Sequence, residues 1–211
     1  MFAAAAAGVL RERAGVRLMH ALLLPCCALA LSAGVPPWVY LVALGVTLAF
    51  GRNAVFGQVP LYRSSPRVAE VLAETLPAGA RVLEAGSGDA RLAMRLARLR
   101  PDVTVVASES AWGSFGVGWC RWRLAGAPGN VALTAASFWS LDWSVFDAVY
   151  VFLSPAPMMR VWDKFSGEAQ PDALLVSNTF IVPGVPPDRT LPLGGPLQKE
   201  LLMWCRQHGT R

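Results

Sequence analysis

The chain has 211 residues, 54% of them apolar and 16% charged, with a formal net charge of +5 and a mean hydropathy of +0.42. That length holds one core-bearing domain and an appendage; no basic run with interleaved aromatics is present to track a phosphate backbone, so a nucleic-acid partner is not expected. Four cysteines with no Cys-x-x-Cys pair, and only His20 and His208 as histidines, exclude a disulfide framework and a structural zinc site; the reading is a reduced, intracellular protein that needs no metal.

The apolar excess is concentrated before residue 51. Residues 18–50 are nearly free of charge and too long for one straight span, since a bilayer core takes about 20 helical residues. Pro36-Pro37 interrupts the run, so the pattern predicts a transmembrane helical hairpin with spans at 18–34 and 38–50. Arg11, Arg13 and Arg17 precede the first span, and Arg52, Arg63 and Arg67 follow the second. A hairpin puts both clusters on the cytoplasmic side. Residues 1–56 are therefore read as a membrane anchor contacting the lipid bilayer, and 57–211 as a globular domain facing the cytoplasm. The alternatives are a single span, or a signal peptide cleaved after Ala28-Leu29-Ala30.

From Arg67 onward apolar and charged residues alternate as in a globular fold. Val68, Val71 and Leu72 predict a helix over 67–75. A short apolar strand, 81–85, runs into a glycine loop, and Leu92, Leu96 and Leu99 mark a helix over 89–99. The β-branched run at 103–107 has the continuous character of a strand buried on both faces. There follow a helix over 112–124, strands near 131–133 and over 146–152, a helix over 158–165 and a strand over 173–178. Leu191 and the run 201–204 supply a final antiparallel pair. Alternation of this kind predicts an α/β domain with a mainly parallel sheet and right-handed crossovers.

In such a sheet a ligand lies beyond the carboxyl ends of the strands, at the switch in strand order. The first strand ends there in Glu84-Ala85-Gly86-Ser87-Gly88-Asp89-Ala90. Its glycines allow a sharp turn and close approach to a ligand, and a helix amino terminus follows. A dinucleotide loop, Gly-x-Gly-x-x-Gly, needs glycine at 91, where Arg91 stands. An acid two positions before Gly-x-Gly instead matches the loop of class I S-adenosylmethionine-dependent methyltransferases. Glu84 then holds the ammonium of the cofactor's methionine part through a charge-assisted hydrogen bond, with Ala85, Gly86, Ser87 and Gly88 beside it. Glu109, just past the second strand, is placed to accept both ribose hydroxyls. The fourth strand runs into a stiff proline loop where Ser154 and Pro155 are candidates for positioning the acceptor.

The stretch from Phe56-Gly57-Gln58-Val59-Pro60-Leu61-Tyr62 through Met159, above all Glu84-x-Gly86-Ser87-Gly88-Asp89-x-Arg91, resembles the small membrane-anchored lysine methyltransferases that modify the ATP synthase c-subunit and the adenine nucleotide translocase, and their bacterial relatives. The resemblance runs over roughly residues 15–180. It implies a Rossmann-like, seven-stranded class I methyltransferase sheet, S-adenosylmethionine as cofactor, and methyl transfer to an amine: a lysine of a membrane protein, reached from the inner membrane of a bacterial cell. It also makes Tyr62 a candidate for lining the cofactor entrance. Two departures stand out. Ala90 replaces the family's usual glycine, and Ser137-Phe138-Trp139 replaces a segment that usually holds an acid for the adenine amino group. Ser137 offers a weaker hydrogen bond there, and Phe138 or Trp139 a stacking surface. These departures keep open a catalytically silent binding module of the same fold, and a lipid headgroup amine is the alternative acceptor.

Overall fold

A computed structural model of the chain describes residues 25, 28–29, 32–56, 63–194 and 200–206. The chain divides into two compact units, Met1–Gly45 and Val46–Arg211. Helix α1, Pro37–Phe56, crosses that boundary. Its side chains Trp38, Leu41, Val42, Leu44, Val46 and Leu48 are each more than half exposed.

Of the expected membrane hairpin, the second span is not found as a membrane-crossing helix. Among the described residues no helix is long and apolar enough to cross a membrane. The second expected span, 38–50, does form helix, but Gly51-Arg52-Asn53 ends its apolar run. From Pro37 to Phe50 that run covers about 21 Å at about 1.5 Å per residue, against a hydrocarbon core of about 30 Å. The first expected span, 18–34, lies largely outside the described residues.

The second unit is a sheet of seven strands: β1 Arg81–Ala85, β2 Thr104–Ser108, β3 Val131–Thr134, β4 Ala148–Val151, β5 Leu174–Asn178, β6 Arg189–Pro192 and β7 Glu200–Cys205. Their spatial order is β3-β2-β1-β4-β5-β7-β6. Strands β1 to β5 are parallel, and β7 returns antiparallel to both β5 and β6. The β-branched and aliphatic runs in β1 and β4 are buried throughout because these strands are central and covered on both faces.

One face is covered by α2 Pro66–Thr75, α3 Arg91–Leu99 and α4 Trp112–Leu124. Val68, Leu72, Leu92 and Leu96 pack there on Val82, Val105 and Tyr150, with Trp122 at the margin. The other face is covered by α5 Met158–Glu168 and two short 3-10 turns, Phe138–Ser140 and Trp143–Val145. Trp143, Met158, Val161 and Phe165 pack there on Leu83, Val149 and Leu175. Full burial of a side chain such as Phe165 stabilises the fold by roughly 1.5–3 kcal/mol.

Two boundaries differ from the sequence pattern for local reasons. The helix expected from Asp89 begins at Arg91, because Ala90 adopts a left-handed conformation at φ 56°, ψ 24°. The strand expected over 146–152 shortens to Ala148–Val151, because the turn at Trp143–Val145 leads directly into Phe146.

Strand order reverses at β1. The connections from β1 and β2 run over one face, while α5, after β4, lies on the other. The crevice this opens beyond the carboxyl ends of β1 and β4 is where ligands sit in open α/β sheets.

Candidate active site at the carboxyl ends of the strands

The glycine loop is stitched to the end of β2. The amides of Gly86 and Ser87 both donate to the Ser108 carbonyl at 2.9 Å. Glu109 is engaged on both carboxylate oxygens: Gly88 N–H donates to one at 2.9 Å and Ala111 N–H to the other at 2.7 Å. The residue read as the ribose acceptor is thus also the brace that holds the loop against the start of α4. Gly86 (φ 79°) and Gly88 (φ 56°) take left-handed conformations that suit glycine. A Cβ on Gly86 would come 3.3 Å from Leu153, so the loop lies close against the segment after β4.

Glu84 is 5% exposed. The Ala93 amide, in the first turn of α3, donates to one of its oxygens at 3.0 Å; the second oxygen has no partner among the described residues. Burial pushes this carboxyl up to about 8, the Ala93 amide pulls it the other way, and the charges of Asp89 and Glu109 add to the rise. A buried acid with one uncommitted oxygen, at the end of β1 just before the glycine loop and against the first turn of α3, is built to receive a cation.

Three further features escape a reading of the motif alone. Arg121 of α4 pairs with the Asp89 carboxylate at 3.2 Å and donates to the Asp89 carbonyl, while Arg91 holds the same carboxylate at 2.9 Å. Tyr150 is the register partner of Glu84. Its hydroxyl hydrogen-bonds Ser64 Oγ at 2.7 Å and accepts from Asn178 Nδ2 at 3.1 Å, and burial keeps it a neutral phenol. Thr179 donates to Asn178 Oδ1 at 2.9 Å from a left-handed backbone, φ 71°. For a β-branched residue that is a strained conformation of the kind that gathers at functional sites.

Of the acceptor-loop candidates, Ser154 is 6% exposed and its hydroxyl has no hydrogen-bond partner among the described residues. Pro155 precedes α5 and accepts from the Met158 amide at 3.3 Å. Ser137 spends its side chain on the backbone, accepting from Trp139 N–H at 3.4 Å. Phe138 and Trp139 lie 4.6 Å apart, ring centroid to centroid, and the Arg160 guanidinium covers Trp139 at 4.0 Å. Tyr62 lies outside the described residues.

No curated protein matches the chain in sequence. Among solved structures, it is similar to an RNA methyltransferase from Salinibacter ruber in complex with S-adenosyl-L-homocysteine: TM-score 0.64 and 21% identity, over 72% of this chain and 97% of that one. It is also similar to an S-adenosylmethionine-dependent O-methyltransferase from Thermotoga maritima, with TM-score 0.57 and 14% identity over 72% and 69% of the two chains. At these identities the likeness establishes the fold, a Rossmann-like methyltransferase sheet. A family model described as the ANTKMT methyltransferase domain matches residues 84–189, from the acid of the glycine loop to β6. That match spans half of the chain and begins at Glu84, the residue around which the crevice is built. The chain belongs to the ANTKMT methyltransferase domain family.

Proposed function

We propose that this protein transfers a methyl group from S-adenosylmethionine to an amine, specifically a lysine side chain of a membrane protein. The observation that carries the reading is Glu84: buried, half-committed to the Ala93 amide, and standing where the matched methyltransferase domain begins. The cofactor, when bound, supplies a methyl group activated on a sulfonium. Glu84 would hold its ammonium, and Glu109, already fixed by two amides, has lone pairs left for the ribose hydroxyls.

The remaining task of the protein is alignment of donor and acceptor at near-attack distance. Ser154 fits that role, because a buried hydroxyl left unpaired costs about 1–3 kcal/mol and is satisfied by a polar group of the ligand or the acceptor. Pro155 stiffens the loop that carries it. A lysine acceptor must lose its proton, and desolvation in a buried mouth lowers its pKa. The exposed apolar side chains of α1 support a membrane-associated protein working from the cytoplasmic face. Such placement raises the effective concentration of bilayer-embedded targets.

The same exposed helix favours a second reading, in which the acceptor is a lipid headgroup amine. Incubating membranes with methyl-labelled cofactor and separating lipid from protein decides between them. Label in protein, located on lysine by mass spectrometry, is the expected result; label only in lipid selects the second reading. Calorimetry of S-adenosylhomocysteine with wild type and Glu84→Gln tests the site itself. Undiminished binding in the variant overturns the site assignment, and no binding by the wild type marks a silent module.

A further inference from the structure

We propose that the mouth of the crevice is itself a bilayer-contacting surface, in which Trp112, Met159 and Ile181, with Arg160 stacked on Trp139, form a ring that seats on anionic lipid. These residues stand on four different connections leaving the same edge of the sheet, with Met159 and Arg160 sharing one. Trp112 opens α4 after β2, and Trp139 lies in the turn after β3. Met159 and Arg160 are in the first turn of α5 after β4, and Ile181 follows β5. Because these four strands are parallel, all of their connections leave from one edge, the edge that holds the crevice.

The exposures are large: 73% for Trp112, 57% for Ile181 and 45% for Met159. Single exposed apolar residues need no explanation, but a set gathered on separate loops around one site marks an interaction surface. Its chemistry selects the partner. Tryptophan, together with an arginine whose charge lies flat on an aromatic ring, is suited to the headgroup level of a bilayer. There the exposed Arg160 guanidinium can pair with phosphate while it lies flat on Trp139, whose ring is half-buried against the core.

No aspartate or glutamate occurs between Ser110 and Leu141, the first turn of α5 has none, and the chain is +5 overall. An anionic surface is therefore the charge-complementary one. Side-chain tips on separate loops suit a soft, deformable surface better than a shaped protein groove. A second copy packed face to face through the same ring would close both crevices against any acceptor. Seating to the usual depth of about 5–10 Å for interfacial apolar groups would bring the acceptor loop to the level at which a membrane protein's lysine emerges. The inference rests on reading the crevice as the methyl-transfer site, and it does not depend on α1.

Hydrogen–deuterium exchange of the full chain, with and without vesicles of phosphatidylcholine containing about 30% phosphatidylglycerol, reads the ring directly. Slowed exchange is expected in the peptides that hold Trp112, Met159 with Arg160, and Ile181. It should be lost in a Trp112→Ala, Ile181→Ser double variant whose thermal melting matches the wild type, since both side chains are exposed. Protection confined to residues before 57 overturns the proposal. So does protection that appears without vesicles and grows with protein concentration, which signals self-association. Calorimetry of S-adenosylhomocysteine on the same preparations keeps the two readings apart: retained binding without ring protection removes the surface alone. Ring protection without binding removes the cofactor site and leaves the surface standing.

Discussion

Burial of Glu84 couples cofactor binding to a proton. Its carboxyl is pushed up to about 8 mainly by desolvation, so near neutrality the cofactor-free site holds it largely protonated. Pairing with an ammonium requires the ionised form, and binding below that value must release the proton. Affinity for S-adenosylmethionine should therefore rise between about pH 6 and 8, by up to about tenfold per unit at the acid end. Calorimetry in buffers of different ionisation heat should count roughly one proton released per site near pH 6–7. Glu84→Gln keeps an acceptor oxygen but cannot titrate, so it should bind weakly and without the slope; a slope that survives in the variant assigns it to another group. Glu84 itself was legible in the sequence, because an acid ahead of Gly-x-Gly is a local pattern. The unpaired hydroxyl of Ser154 was not, since burial arises only once β4 and α5 enclose it. Arg121 reads as a solvated helix charge until the fold sets it on Asp89, and the Tyr150 network joins three segments far apart in sequence.

Between α3 and α4 the glycine loop depends on a pair of small residues. Ala90 is buried in a left-handed conformation that costs a non-glycine residue roughly 1–2 kcal/mol. A Cβ placed on Gly118 of α4 would come 3.3 Å from the Ala90 methyl and 3.4 Å from the Asp89 backbone, which Arg121 also holds. A methyl at one position therefore crowds a methyl at the other, and one of the two must give by a few tenths of an ångström. Gly118→Ala should destabilise by about 1 kcal/mol despite its gain in helix propensity, and should approach neutrality in an Ala90→Gly background. A urea double-mutant cycle measures the coupling, expected near 1 kcal/mol; strict additivity would show that the loop simply yields. The end of α2 makes a second element-level case. Leu76 precedes Pro77 and turns extended, ending the helix. Arg100 then donates to the carbonyls of Ala73 at 2.7 Å, Leu76 at 3.1 Å and Pro77 at 3.0 Å, while Asp102 grips its other edge. Arg100→Met should cost about 1–2 kcal/mol in urea unfolding with an unchanged slope. Arg95→Met, which loses only an exposed pair with Glu70, should stay within about 0.5 kcal/mol. Element order was legible because buried parallel strands carry continuous apolar runs and the helices carry an apolar stripe. The expected second membrane span falls short because Pro36-Pro37 and Arg52 bound an apolar run thinner than a bilayer core, while the expected first span lies largely outside the described residues.

For the molecule as a whole, the same carboxyl sets how folding responds to pH. Glu84 titrates near 4.5 in the unfolded chain and near 8 in the fold. Below the lower value it is protonated in both states and contributes nothing to the pH dependence. Between the two values the unfolded chain sheds the proton and the fold retains it, so stability falls as pH rises, by at most about 1.4 kcal/mol per unit. Above about 8 both states are ionised and this loss stops growing. Asp102, held below the ordinary carboxylate range by Arg100, works on the other side: its contribution is lost only as the pH falls through its own depressed value. Urea midpoints of the cofactor-free protein should therefore decline from about pH 5 to 8, and Glu84→Gln should flatten that decline. Parallel curves for the two proteins would place the effect elsewhere. S-adenosylhomocysteine adds a test of linkage, since a ligand at a hundredfold excess over its Kd stabilises the fold by about 2.7 kcal/mol. Because its ammonium draws Glu84 into the ionised form, that stabilisation should grow with pH over the interval in which the cofactor-free fold weakens. The cofactor-free protein is thus weakest where its ligand binds best, and occupancy of the site and persistence of the fold are governed by one proton.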